Sequence, residues 1–379
     1  MKVVAFLNAY KGVSGGDSRF VEITKRLNET GDMELTIVTS ELGKDFCKER
    51  GLNAFFEVTT QEHEVGNVVL LYARRIFSAL LLDLEINNGT VLYSASQFLP
   101  DVLPIYILKF KHKNVKWVQV IFHLIPLPTR REGSFITNFI SFSEQKLSFC
   151  LIRRNADLIS VLNDLVKSQL AKLGFSKDRI YVTGAGINLS QLDKIPLVEG
   201  LGYDACFLGR LHPAKGIFDL IEIWKLVTSK KKSAKLAIIY DGPKDLESKL
   251  AKRIKEENLC SNVFMLPLTG KDALSVVKSS KVFAFPSHEE GWGIAISEAM
   301  ACGLPVVAYD LPVYKEIFKQ GVVTVSMEDI RSFSNEIISL LDDDKRRNIL
   351  GEKGRMQATM YDWKSVATRE LLLIKKELA

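Results

Sequence analysis

Short apolar runs alternate along the chain with longer segments whose apolar residues recur at helical spacing, the pattern of parallel sheets covered by helices. In the first half, strands are expected at 3–7, 35–38, 91–93, 117–122, 158–161 and 180–182. Between them lie helical faces such as Phe20, Ile23 and Leu27, and Val65, Val69, Tyr72, Ile76 and Leu80. The periodicity lapses across 190–203, where Pro196, Gly200 and Gly202 mark a linker. It then restarts, with strands expected at 205–208, 235–240, 263–266, 282–285, 305–308 and 322–325. The intervening helices carry Ile217, Leu220, Ile221 and Trp224, and then Leu246, Leu250 and Ile254. A last pattern, Trp363, Val366, Ala367, Leu371, Ile374 and Leu378, keeps one apolar face that either half of the chain could cover.

Composition narrows this to a soluble two-domain protein. The chain has 379 residues, of which 47% are apolar and 25% charged. A net charge of +6 suits an anionic ligand or an acidic lipid surface. It does not require nucleic acid, for which zinc-finger spacing, aromatic-basic interleaving and basic blocks are all missing. Five scattered cysteines with no C-x-x-C pair point to a reducing compartment and buried thiols. The apolar run at 68–86 is broken by Arg74, Arg75 and Asp83, and that at 91–110 by Pro100, Asp101 and Pro104, so no span is expected. The opening residues read as a strand rather than a leader. The expectation is a cytoplasmic protein whose membrane contact, if any, is peripheral, at the inner face.

Candidate chemistry concentrates at 282–308. A buried strand leads to a loop with His288, Glu289, Glu290, Gly291, Trp292 and Gly293, and a helix starts at Ile294. Open amides at that helix start suit a diphosphate. Glu290 on the loop and Glu298 two turns into the helix can face one cleft. Arg210 and Lys215 follow the first strand of the second half, where two cations can neutralise a diphosphate leaving group. Gly15 and Gly16 precede the first helix, either as a tight turn or as a close approach of backbone to phosphate or sugar. Gly184, Ala185 and Gly186 read as a turn. His123 ends a strand-like run and is either a ligand for a sugar hydroxyl or a satisfied buried histidine. Asp342, Asp343 and Asp344 close a helix and run into Lys345, Arg346 and Arg347, which reads as a solvated helix end. No His, Cys, Asp or Glu cluster has metal spacing. The segment 135–152, flanked by Arg130, Arg131, Arg153 and Arg154, reads as a core or cleft-wall helix in preference to a membrane-pressing one.

Taken together, Gly15 and Gly16, His123, GRLHPAKG, IIYDGP, and Glu290 with Glu298 inside PSHEEGWGIAISEAMACGLPVVA resemble the family 4 retaining glycosyltransferases. NADLISVLNDL and YDWKSVA extend the resemblance over nearly the whole chain. It implies the GT-B architecture: an α/β fold of two Rossmann-like parallel-sheet domains facing a cleft. The implied domains are an acceptor-binding domain at 1–193, a nucleotide-sugar domain at 194–361, and a terminal helix at 362–379 returning to the first domain. The implied reaction moves a hexosyl group from a nucleotide-diphospho-sugar to a glycan or lipid-linked acceptor, with retention and without a metal or other cofactor. Arg210 and Lys215 would hold the diphosphate, Glu290 the sugar hydroxyls and Glu298 the ribose. The backbone around Gly291, Gly293 and Ile294 would meet phosphate or sugar. His123 would stand beside the sugar, and Gly15 and Gly16 would let their loop close over phosphate. Trp292, where phenylalanine is usual, and the turn TGAGIN depart from the family pattern. A sugar-nucleotide epimerase of the same fold and a catalytically silent partner protein are the alternatives; a nicotinamide dehydrogenase lacks its fingerprint glycines.

Overall fold

The computed structural model describes all residues except 11, 13, 30, 32, 62–67, 132, 133, 199, 201 and 379. It divides into unit 1, Met1–Ala185 with Trp363–Ala379, and unit 2, Gly186–Asp362.

Unit 1 holds strands β1 (Lys2–Leu7), β2 (Glu34–Thr39), β3 (Phe55–Val58), β4 (Val91–Ser94), β5 (Lys116–Ile121), β6 (Leu158–Val161) and β7 (Ile180–Val182). Its helices are α1 (Gly15–Asn28), α2 (Glu41–Glu49), α3 (Val68–Leu81), α4 (Leu99–Lys111), α5 (Phe135–Asn155) and α6 (Asp164–Lys172). The strands are all parallel, in the order β3-β2-β1-β4-β5-β6-β7. Both faces of such a sheet must be covered, and here each carries its own core. One core joins Trp117, Val102, Ile105, Phe149 and Ile152; the other joins Phe20, Val21, Phe46 and Val118.

Unit 2 opens with α7 (Leu189–Asp193) and continues β8 (Ala205–Arg210), α8 (Ile217–Lys230), β9 (Leu236–Asp241), α9 (Lys244–Glu256), β10 (Val263–Leu266), α10 (Gly270–Lys278) and β11 (Val282–Phe285). It ends with α11 (Ile294–Ala301), β12 (Val306–Tyr309), α12 (Pro312–Ile317), β13 (Val322–Val325), α13 (Ile330–Asp342) and α14 (Asp344–Ala358). The sheet is again parallel, in the order β10-β9-β8-β11-β12-β13. The expected linker is tied to this unit: Lys278 Nζ donates to the carbonyls of Leu192 and Ile195 at 3.2 and 2.7 Å, and Val198 N donates to Ser279 Oγ at 2.9 Å.

The chain then returns to unit 1 as α15 (Trp363–Leu378), which packs on α1. Its apolar face is interrupted by Glu370, fully buried and paired with Arg19 of α1. Tyr93 Oη donates to Glu370 Oε1 at 2.6 Å, and Arg19 donates on to Thr183 Oγ1 at 2.8 Å and to the Gly184 carbonyl at 2.9 Å. A charge pair so buried needs every donor and acceptor met, and these partners meet them.

Four readings of the sequence need correction. β3 was not expected: it is an edge strand whose Phe55 faces solvent, so it lacks the signal of a buried run. In α3 the buried residues are Arg75 and Ala79, while Val69 is exposed, and Val65 lies outside the described residues. Apart from Arg74 and Arg75 that helix carries apolar residues on every side, so periodicity cannot choose its inner face. In α5 only the second half enters the core, through Phe149 and Ile152, and Phe135 and Phe139 are exposed. Of the cysteines, all unpaired, Cys150 and Cys260 are exposed rather than buried. Among the described residues no helix is long and apolar enough to cross a membrane.

Candidate active site

In an open α/β sheet, the loops at the carboxyl ends of two neighbouring strands diverge where the strand order reverses, leaving a crevice for ligands. In unit 2 that place lies between β8 and β11. The residues singled out at 210–215 and 290–298 follow these two strands.

Arg210 is the last residue of β8, exposed, and without a side-chain partner among the described residues. After a 3-10 turn over Pro213–Lys215, Gly216 adopts φ 66° and starts α8. A Cβ at Gly216 would lie 1.8 Å from the Pro286 carbonyl oxygen, so glycine is what lets the β8 loop press against the β11 loop. His288 N donates to the Ala214 carbonyl at 2.8 Å and closes the same contact.

Across that contact Lys215 Nζ pairs with Glu290 Oε1 and reaches the Glu289 carbonyl at 3.3 Å. Ser287 Oγ also donates to Glu290 Oε1, at 3.2 Å. Both bonds fall on one carboxylate oxygen; Oε2 has no partner among the described residues. An ammonium has three donors, so Lys215 keeps one for an incoming acceptor.

Sequence reasoning missed the support behind this pair. His288 Nε2 and Tyr309 Oη both bond Asp219 Oδ2, at 2.8 and 2.7 Å, which ties the β11 loop to α8 and β12. Burial works to raise the Asp219 carboxyl, but the hydrogen bonds from His288 and Tyr309 outweigh it and hold the group below its ordinary value. The signal available was the position of Asp219 in the first turn of α8, beside the loop.

Gly293 begins α11 with φ 99° and supplies no side-chain cap, so the first amides of α11, from Ile294 on, are left to a ligand or water. Trp292 is buried behind the loop, its indole donating to Ser297 Oγ at 3.2 Å and its ring edge-on to Tyr361. Glu298, half-buried on α11, has no hydrogen-bond or ion-pair partner among the described residues, and desolvation pushes its carboxyl up to about 7. Unit 2 thus gathers Arg210, Lys215, Glu290, Gly291, Gly293, Ile294 and Glu298 on the loops and first turns at its switch point.

Unit 1 gathers the others. His123 stands two residues past β5, half-buried, with its carbonyl taken by Gln145 Nε2 at 2.9 Å. Gly15 and Gly16 form the first turn of α1, capped by Ser14 and Asp17 in a reciprocal capping box. A Cβ on Gly16 would sit 2.6 Å from the Phe122 ring, so this glycine is required by close packing against the residue next to His123. The turn at Gly184 accepts from buried Arg19. In the acidic triplet, Asp343 caps α14 by accepting from Arg346 N at 2.8 Å. Among the described residues no group of three His, Cys, Asp or Glu side chains is placed to hold a metal.

These two parallel Rossmann-like units define the GT-B class of fold. Residues 194–357, within unit 2, match the family described as Glycosyl transferases group 1. It is 25% identical over 232 residues to the O-antigen chain mannosyltransferase B of Escherichia coli, covering 57% of this chain and 60% of that protein. It is 29% identical over 192 residues to a phosphatidyl-myo-inositol mannosyltransferase of Mycobacterium leprae, covering 48% of this chain and 50% of that one. The matched stretches thus span half to 60% of these relatives' lengths. The structure of Anabaena Alr3699/HepE in complex with UDP-glucose superposes with a TM-score of 0.76 at 17% identity, covering 99% of this chain and 100% of that one.

Proposed function

We propose that this chain is a retaining glycosyltransferase that moves a hexosyl group from a nucleotide-diphospho-sugar to a glycan or lipid-linked acceptor in polysaccharide or glycoconjugate biosynthesis. The observation that carries the reading is the Lys215–Glu290 pair at the switch point of unit 2, with a lysine donor and a carboxylate oxygen both left open. Similarity to mannosyltransferases and to a UDP-glucose complex supports the donor class.

When the bond between the anomeric carbon and the phosphate oxygen breaks, the sugar gains oxocarbenium character and the diphosphate gains charge. Lys215, Arg210 and the open amides of α11 would stabilise that charge, the interaction expected to contribute most to the rate. Glu290 Oε2 would accept from a sugar hydroxyl while Oε1 holds Lys215 in place. Glu298 would accept from the ribose hydroxyls. The acceptor oxygen would attack on the face the leaving group departs from and pass its proton to the leaving phosphate, so no carboxylate nucleophile and no metal is invoked. In unit 1, His123 would serve the transferred sugar, and Gly15 and Gly16 would let their loop approach the phosphate.

A thermal-shift screen against UDP-, GDP- and ADP-sugars, followed by determination of the product anomer with the best donor, tests this. Stabilisation by one donor and an anomer matching the donor's is the expected result. Stabilisation by no nucleotide sugar, or an inverted product, would overturn it.

A further inference from the structure

Behind the Gly293 turn lies a cluster of aromatic rings, all in unit 2: Trp292, Tyr314, Phe318 and Tyr361. Tyr361 packs edge-on against Trp292, 5.3 Å between centroids, and against Phe318 at 6.3 Å, and Phe318 lies 5.7 Å from Tyr314. Tyr314 belongs to α12, which follows β12, the strand beside β11 in the sheet. Its ring reaches the turn itself. A Cβ on Gly293 would lie 3.3 Å from Tyr314 Cε1 and 3.3 Å from Phe318 Cε2. Cε1 is bonded to the carbon that carries the hydroxyl, so the polar end of the Tyr314 ring is the end that lies against the start of α11.

A buried tyrosine or tryptophan ordinarily finds a partner for its polar end. Around this turn the others follow that rule. Trp292 Nε1 donates to Ser297 Oγ at 3.2 Å, Tyr361 Oη donates to the Ile317 carbonyl at 2.6 Å, and Tyr309 Oη donates to Asp219 Oδ2 at 2.7 Å. Tyr314 is the exception: it is 1% exposed, and its hydroxyl has no hydrogen-bond partner among the described residues. An unmet buried hydroxyl destabilises the free protein, so its presence beside a binding loop points to a bound state in which it is met. The carboxylate whose charge acts on this phenol is that of Glu290. Burial first, and then that charge, push the phenol well up, so it stays an O–H donor. Glu290 has capacity to match. Its Oε1 accepts from Lys215 and Ser287, whereas Oε2 is open, and a carboxylate oxygen can accept more than one hydrogen bond.

We propose that Tyr314 is a positioning residue for donor recognition: when a nucleotide-sugar is bound, its hydroxyl donates to Glu290 Oε2, beside the sugar hydroxyl, and fixes the plane of that carboxylate. The assignment rests on the transferase reading above, in which Glu290 contacts the transferred sugar. Lys215 and Ser287 hold one oxygen only, which leaves the carboxylate free to turn about that point; a donor on the other oxygen stops the rotation. The test compares parent and Tyr314→Phe by calorimetry with UDP-glucose, GDP-mannose and ADP-glucose, each beside its nucleoside diphosphate, and by thermal melting without ligand. Tyr314→Phe should bind the best of these sugar nucleotides about 10-fold or more weakly, the loss of one hydrogen bond to a charged group. It should bind the nucleoside diphosphate as the parent does, since only the sugar engages Glu290. Its ligand-free melting temperature should equal or exceed the parent's, because the group removed has no partner there. In a Glu290→Gln background, where the neutral amide is a poorer acceptor, adding Tyr314→Phe should weaken sugar-nucleotide binding by less than about threefold. A parent that binds none of the sugar nucleotides removes the transferase reading and this assignment with it. With a parent that binds, the assignment alone is overturned by an unchanged sugar-nucleotide affinity in Tyr314→Phe, by equal losses for sugar nucleotide and nucleoside diphosphate, by a lowered melting temperature, or by an undiminished loss in the Glu290→Gln background.

Discussion

In unit 2, the crevice between β8 and β11 is bordered by Arg210, Lys215 and the uncapped start of α11, all with hydrogen-bonding capacity to spare. In unit 1 the corresponding place, between β1 and β4, is filled by the protein itself. Asp101 accepts the amides of Asn8 and Ala9 and the hydroxyl of Ser96, at 2.6, 2.9 and 2.5 Å. Arg75 takes the carbonyls of Asn8 and Tyr10 from the other side. A carboxylate therefore occupies the amides that a phosphate would seek. Two units on one plan thus differ at their switch points: one closes the place with its own Asp101 carboxyl, which burial pushes up to about 7, and the other keeps it open. The contrast supports the proposed reading, in which the nucleotide binds unit 2 and unit 1 takes a less charged ligand.

The strongest way to break the comparison is Lys215→Ala. It should lower kcat by about 100- to 1,000-fold with the melting temperature of the protein little changed, because a cation at the developing charge is lost. Near-parent turnover would remove the open site from unit 2. Next in size, Glu370→Ala leaves Arg19 buried without its carboxylate and should cost about 3–5 kcal/mol in denaturant unfolding of unit 1. An unchanged midpoint would mean that α15 is not held by this pair. Asp101→Ala frees the Asn8 and Ala9 amides in a buried place and should destabilise by about 1–3 kcal/mol. Nucleotide affinity, read by calorimetry, should stay as it was; a large change would put the donor in unit 1.

The smallest expected effect sharpens the contrast through pH. Glu298 ionises near 7 in the folded chain rather than near 4.5, so its contribution to stability is complete below about 4.5 and is lost as pH rises through 7. Glu298→Gln removes that loss. At pH 8 the variant without ligand should be more stable than the parent by on the order of 1–2 kcal/mol, allowing for partial exposure, and the gain should vanish near pH 4.5. If Glu298 serves the ribose, the same variant binds donor more weakly, so stability and binding move in opposite directions. A parent and variant with parallel stability curves would show that the carboxylate is not desolvated.

Much of the site was legible because its residues sit at strand ends that periodicity alone can find. Arg210 and Lys215 follow one buried run, and Glu290 and Glu298 straddle the loop and helix after another. The supports were harder to see. Asp219, His288 and Tyr309 are far apart in the chain, and a carboxylate in a first helical turn reads as an ordinary helix-start charge. Glu370 left a fainter sign, a charge at helical spacing between Val366 and Ile374 on an otherwise apolar face. Its partner Arg19, in the first helix, could not be named without the fold.

By itself, the sequence determined the alternation of strands and helices, the two-unit plan and the short stretches carrying the cations and carboxylates, since these depend on local periodicity and on residue chemistry. Tertiary structure alone decided which side chains satisfy one another: Lys215 with Glu290, Asp219 with His288, Asp101 with the β1 loop, Arg19 with Glu370. It also decided that α3 and the start of α5 turn their apolar residues outward. The inner face of a helix with apolar residues on several sides is set by what lies across from it, and residues distant in sequence supply that surface.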